Sequence, residues 1–194
     1  GQVVRVFKHG EDQLVAIRMI QTPPTKANPN YVPPVIEAQV YDLKNPAKPR
    51  AAGKATLPSD VSLYYGYWCG DWFWGAYGFY GTANNIISTT SGLMILGQSW
   101  ESGAQTTRLI ALDLTNGDAP TVTTKTIETV TGSYWDSGYG LVADPVAPSG
   151  FYLTSRKHVG DTKCGVWALA QGKEYAQRWD LSGGAWTAGA AINL

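Results

Sequence analysis

The sequence has little of what most catalytic and metal sites are made from. Its 194 residues include two cysteines, two histidines and two methionines. Cys69 and Cys164 form no CxxC pair, and with only His9 and His158 to join them the composition argues against a zinc site. There is no GxSxG elbow, HExxH helix, phosphate-binding loop or dinucleotide fingerprint, and no Asp-rich loop has the form of a calcium site. The sequence therefore calls for no cofactor and no metal, and it marks no catalytic residue. His158, beside Arg156 and Lys157, reads as a surface residue kept neutral by its neighbours. Charge is scarce too, at 15% against about a quarter in an average soluble domain. The 15 basic and 15 acidic groups cancel, so the basic excess of a nucleic-acid binder is missing. No apolar run approaches the roughly 18 residues of a helical membrane span.

Helical periodicity is the next absence. Apolar residues spaced i, i+3, i+4, i+7 persist nowhere over three turns, and the 22 glycines and 11 prolines interrupt most candidate windows. What is present is strand. Val3–Lys8, Leu14–Ile20, Val35–Leu43, Ala83–Thr89, Leu93–Ser99, Leu109–Leu114, Leu141–Val146 and Phe151–Ser155 are short, apolar or alternating, and bounded by turn residues. Nine of the eleven residues from Thr121 to Thr131 are β-branched, which favours an extended backbone. A hydrophobic content of 44% excludes a disordered chain. The expected class is all-β.

A repeat organises these strands. Asp42-Leu43 opens DLKNPAKP, Asp113-Leu114 opens DLTNGDAP and Asp180-Leu181 opens DLSGGAW, at separations of 71 and 67 positions. Each Asp ends an apolar strand, where its carboxylate can accept turn N–H groups while Asn, Gly and Pro set the turn dihedrals. Two strands precede each Asp and one follows it. The units are thus four-stranded antiparallel meanders, about residues 1–62, 63–131 and 132–194. Thr22 to Pro34, with five prolines, is an extended excursion within the first.

The segments VYDLKNPAKPRAAGKATLP and IALDLTNGDAPTVTTKTIE resemble the repeat of bacterial surface and secreted β-propellers, in which a D-[LV]-[ST]-[ND]-P-x-x-P turn follows the third blade strand. Asp42, Leu43, Asn45, Pro46 and Pro49 match that turn in the first unit. Asp113, Leu114, Thr115, Asn116 and Pro120 match it in the second, where Gly117 replaces the first proline. The third unit keeps Asp180, Leu181 and Ser182 and otherwise rests on spacing. The resemblance implies propeller-type blades and an exported protein, and no particular activity. Three blades do not close a ring, since propellers have about four to eight. An arc of three would expose two apolar blade faces. Other copies or another chain are therefore the expected partners.

The chain opens on Gly1 with no basic segment ahead of an apolar stretch, so compartment is read from composition. Few charges and many Thr, Gly and aromatic residues suit a secreted, periplasmic or cell-surface location. In an oxidising compartment Cys69 and Cys164 could close a disulfide, which loop entropy would credit with roughly 4–5 kcal/mol. The alternative is two separate buried thiols.

The segment YYGYWCGDWFWGAYGFY, Tyr64 to Tyr80, holds ten of the chain's 23 aromatic residues. Exposed, Tyr65, Tyr67, Trp68, Trp72 and Trp74 would stack on sugar faces or a partner's apolar surface. Tyr134 and Trp135, in GSYWDSGYG, repeat the theme before the third unit. The competing reading packs these rings between blades. The expected function is a non-enzymatic binding or structural scaffold presenting loops and aromatics for protein or glycan contact. The alternative is a carbohydrate-active domain in which the aromatic segment holds a glycan and Asp71 or Asp136 acts as acid or base.

Overall fold

The computed structural model describes residues 2–20, 35–58, 86–101, 104–131, 137–157 and 174–193. Among them there is no helix, so none is long and apolar enough to cross a membrane. Twelve strands form three separate four-stranded sheets, each a meander in chain order. The first contains β1 (Gln2–His9), β2 (Gln13–Ile20), β3 (Val35–Asp42) and β4 (Arg50–Leu57). The second contains β5 (Ile86–Ser88), β6 (Gly92–Glu101), β7 (Ala104–Asp113) and β8 (Thr121–Thr131). The third contains β9 (Ser137–Ala143), β10 (Gly150–Lys157), β11 (Glu174–Ser182) and β12 (Ala185–Asn193). All pairings are antiparallel.

The strand expected at Leu141–Val146 lies earlier, at Ser137–Ala143. Its apolar run misleads because Asp144 turns the chain. Asp144 Oδ1 accepts the Val146 and Ala147 N–H groups at 2.9 and 3.1 Å, and Pro145 has no N–H to offer a ladder. Thr22 to Pro34 falls outside the described residues.

The Asp repeat fixes a common register. Asp42 pairs with Gln13, Asp113 with Gly92 and Asp180 with Gly150, so each Asp sits opposite the start of its second strand. Counting from these positions aligns Leu14 and Ala16 with Leu93 and Ile95 and with Phe151 and Leu153. It aligns Val15 and Ile17 with Met94 and Leu96 and with Tyr152 and Thr154. Side chains alternate across a strand, so these two sets lie on opposite faces.

Packing follows that division. One core joins Val15, Ile17, Ile36, Ala38, Val40 and Leu57 of the first sheet to Leu93, Ile95, Ile110 and Leu112 of the second. The other joins Met94, Leu96, Leu109 and Ala111 of the second sheet to Leu141, Phe151, Leu153 and Trp179 of the third. The middle sheet is thus buried on both faces, and each unit turns the same face toward the next. The stack is head to tail.

Magnitudes show what holds it. Removing one buried Leu or Ile costs about 2–5 kcal/mol. The Arg50–Asp118 pair between the first two units, at 2.9 Å, is more than half exposed at both ends and is worth about 0–1 kcal/mol. Apolar burial dominates, and polar contacts set the alignment. Gly53 N–H donates to the Gly117 carbonyl at 2.8 Å, docking the β7–β8 turn on β4. A Cβ at Gly53 would overlap Pro120 Cδ and the Asp118 carbonyl, and both atoms belong to that turn. Gly53→Ala is expected to lower stability by about 1–3 kcal/mol in urea denaturation. Gly189→Ala, whose Cβ meets only ordinary contacts, should be neutral or slightly stabilising.

Candidate functional site

The aspartate turns are the first candidate, and their chemistry is structural. Asp42 Oδ1 accepts the Lys44 N–H at 2.9 Å, and Asp113 Oδ1 accepts the Thr115 N–H at 2.8 Å. In the same two units Lys48 N–H donates to Asn45 and Ala119 N–H to Asn116, at 2.9 and 3.0 Å. Leu43 N–H reaches back to the Asp12 carbonyl at 2.6 Å and Leu114 N–H to Ser91 at 2.7 Å. These three backbone contacts recur in both turns, while the side chains differ: Asp113 also accepts the Thr115 hydroxyl and Asp42 pairs with Arg50. The third unit keeps the register position but changes the chemistry. Gly183 and Gly184 both have positive φ, at 57° and 80°, and make a two-residue hairpin between Ser182 and Ala185. Asp180 instead pairs with Arg178.

Arg178 also donates from Nε to Asp144 Oδ2 at 2.7 Å, and Asp144 is buried. This arginine is the site residue that sequence reading missed. Its signal is weak, an Arg two positions before the repeat Asp. Asp144 is fully committed to Arg178 and two turn amides, which leaves it no role as a free acid or base. The Arg178 guanidinium first, and the two amides after it, hold its carboxyl below the usual aspartate range. Asp42 is held down likewise, chiefly by the Lys44 N–H and then by Arg50. The His9 imidazole is held below its ordinary value by partial burial, with Asp113 opposing.

The second candidate is the pair of sheet faces left at the ends of the stack. On the first sheet the outward set holds Val3, Val6 and Lys8 of β1, Leu14, Ala16 and Arg18 of β2, and Val35, Glu37 and Tyr41 of β3. Glu37 lies between Lys54 at 3.1 Å and Arg18 at 3.6 Å. On the third sheet the outward set holds Val142, Tyr152, Thr154, Ala176, Arg178 and Ile192. Six large hydrophobic residues are conspicuously exposed among the described ones, and five are Val3, Val6, Val35, Val142 and Ile192, at 45–59%. All five lie on these two faces. The sixth, Val146, is in the β9–β10 turn. The faces are thus mixed, apolar residues around ion pairs, rather than the uniformly apolar surfaces expected.

The aromatic candidates Tyr65, Tyr67, Trp68, Trp72, Trp74, Tyr134 and Trp135 lie outside the described residues, as do Cys69, Cys164, Asp71 and Asp136. Among the described residues the candidate surfaces are the two outward faces of an all-β stack. Comparison of the chain with protein-family models, curated proteins and solved structures gives no match.

The two lowered carboxyls give the fold an acid limit. Their stabilisation is complete above the ordinary aspartate value, about pH 3.9, and is lost as pH falls through their lower folded-state values. Thermal unfolding followed from pH 7 to pH 2 should show the midpoint dropping below about pH 4. Asp144→Asn should lower the neutral-pH midpoint and flatten that drop. A variant curve parallel to the parent's would contradict the role given to Asp144.

Proposed function

We propose that the three sheets are blades of a β-propeller and that the chain is a non-enzymatic scaffold of an exported bacterial protein. Its end blades stack on further blades, and its loops, including the aromatic segment 64–80, are offered for protein or glycan contact. The observation that carries the reading is the placement of the exposed aliphatic side chains. In the middle unit both faces are covered, and the positions equivalent to Leu14 and Ala16 on one side and to Tyr152 and Thr154 on the other are core. In the end units no sheet among the described residues neighbours these positions, and the five exposed large aliphatic residues lie on those two faces. Exposed patches of this kind mark interaction surfaces. Stacked units of this type also bury their faces only against their neighbours.

The propeller and the exported location rest on the Asp-Leu-x-Asn-Pro-x-x-Pro turn and on composition. The turn chemistry adds support, because Asp42 and Asp113 each accept the N–H two residues on. Asp71 and Asp136, the carboxylates of the carbohydrate-active alternative, lie outside the described residues, and Asp42, Asp113, Asp144 and Asp180 are engaged in turns and ion pairs.

The reading is tested by sedimentation velocity across a concentration series, combined with binding of an apolar-surface dye. The expected result is either a species larger than the 20.9 kDa chain that leaves the dye dark, or a monomer that lights it. A compact monomer that leaves the dye dark at every concentration would overturn the proposal.

A further inference from the structure

We infer that the turn between β3 and β4, at 43–49, is a docking element for an extended strand that carries a glycine, the outer strand of a further four-stranded unit. The inference rests on the scaffold reading above and deepens it, because it states what the unit against the first sheet presents. Three observations lead to it.

The first is that a turn of the same build is docked elsewhere in the molecule. The β7–β8 turn lies against β4, where the Gly117 carbonyl accepts the Gly53 N–H at 2.8 Å. Pro120 and the Asp118 carbonyl fill the space that a Cβ at Gly53 would need. Leu114, at the head of that turn, is 1% exposed and belongs to the core shared with the first sheet. Aligned on Asp42 and Asp113, the β3–β4 turn places Leu43 at the Leu114 position, Pro46 at Gly117, Ala47 at Asp118 and Pro49 at Pro120. The N–H bonds of Leu43, Lys44 and Lys48 repeat those of Leu114, Thr115 and Ala119.

The second is that the β3–β4 copy of this turn is bare. Gly117 and Pro120 are half-buried against β4, whereas Pro46 and Pro49 are exposed. Leu43 is half-buried where Leu114 is core. One half of an observed junction therefore stands on the first unit, and no strand among the described residues supplies the other half.

The third is that turn and strand vary together inside the chain. The bulge opposite Val40 in β4 holds Gly53, and the unit that follows carries the long Asn116 turn. At the equivalent place in β8, Thr123 pairs with Ala111, so a β-branched side chain stands where Gly53 has none. The unit that follows β8 carries the two-residue Gly183–Gly184 hairpin, which is exposed, with nothing within 4 Å of a Cβ built at either glycine. A long turn goes with a glycine strand and a short turn with a side chain. The first unit carries the long turn.

The partner's chemistry follows. Its glycine N–H donates to the Pro46 carbonyl, and the Pro49 ring and the Ala47 carbonyl leave no space for a Cβ at that residue. The mode is strand addition with one position read by shape. Ala47 has no carboxylate, so the arginine that meets Asp118 in the internal junction is not required of the partner.

The test adds to the full chain a capped peptide of the β4 sequence, Arg-Ala-Ala-Gly-Lys-Ala-Thr-Leu, and a second peptide with Ala in place of the glycine. By NMR the amides of Leu43, Lys44, Asn45, Ala47 and Lys48 should shift, and the glycine peptide should bind about tenfold or more tightly than the alanine peptide, the cost of forcing one methyl into a filled site. Pro49→Ala, which takes away the ring and should keep the parent's circular dichroism, should narrow that ratio. Equal binding of the two peptides to the parent, shifts confined to other surfaces, no shift at millimolar peptide, or a ratio unchanged by Pro49→Ala would each overturn the inference. The scaffold reading would survive any of these if the chain assembles or lights the dye. A compact monomer that leaves the dye dark would overturn both.

Discussion

The structure depends on one constraint, that the middle sheet must bury both of its faces. Leu93, Ile95, Ile110 and Leu112 point to one neighbour, and Met94, Leu96, Leu109 and Ala111 to the other. A four-stranded sheet apolar on both sides has no stable existence in water. Each face is worth several buried aliphatic side chains, at about 1.5–3 kcal/mol each. The exposed Arg50–Asp118 pair between units is small beside that sum. The turns then decide how the sheets align. Gly53 admits the β7–β8 turn against β4, and Thr90 N–H donates to the Pro148 carbonyl between the second and third units at 3.1 Å.

The same constraint explains the asymmetry between the middle and the ends. The end sheets each have one inner face, built like the faces of the middle sheet, and one outer face of mixed character. Glu37 occupies a strand position whose equivalent on β7 is Arg108 and on β11 is Tyr175, and it is stabilised by Arg18 and Lys54 rather than by apolar neighbours. Arg178 on the other outer face is neutralised by Asp144 and Asp180. Faces of this composition tolerate exposure to water and still offer apolar side chains for contact. The proposed scaffold needs surfaces of that kind.

Much of the fold was legible in the sequence for a simple reason. A strand that ends on Asp before an Asn/Pro or Asn/Gly turn leaves a local signature, and three such signatures mark three meanders. The alternation in β2, β6 and β10 also carries the head-to-tail packing, once the strands are aligned on Asp42, Asp113 and Asp180. The start of β9 was not legible, because LVADPV looks like a strand until the Asp144 carboxylate is seen to turn it. The third turn departed from the repeat because Gly183-Gly184 makes a tighter hairpin than the Asn-containing turns. Of the candidate site, the end faces could be anticipated from counting the repeat units. Their ion pairs could not, since Arg18–Glu37 and Arg178–Asp144 join strands or turns far apart in sequence. The aromatic candidates remain a proposal drawn from composition.

The most direct measurement is a crystal or electron-microscopy structure of the particle the chain forms in solution, read for what lies against the two end faces. The account predicts that Val3, Val6 and Val35 on one face and Val142 and Ile192 on the other are covered by further sheets. A particle in which these five side chains face solvent would contradict it.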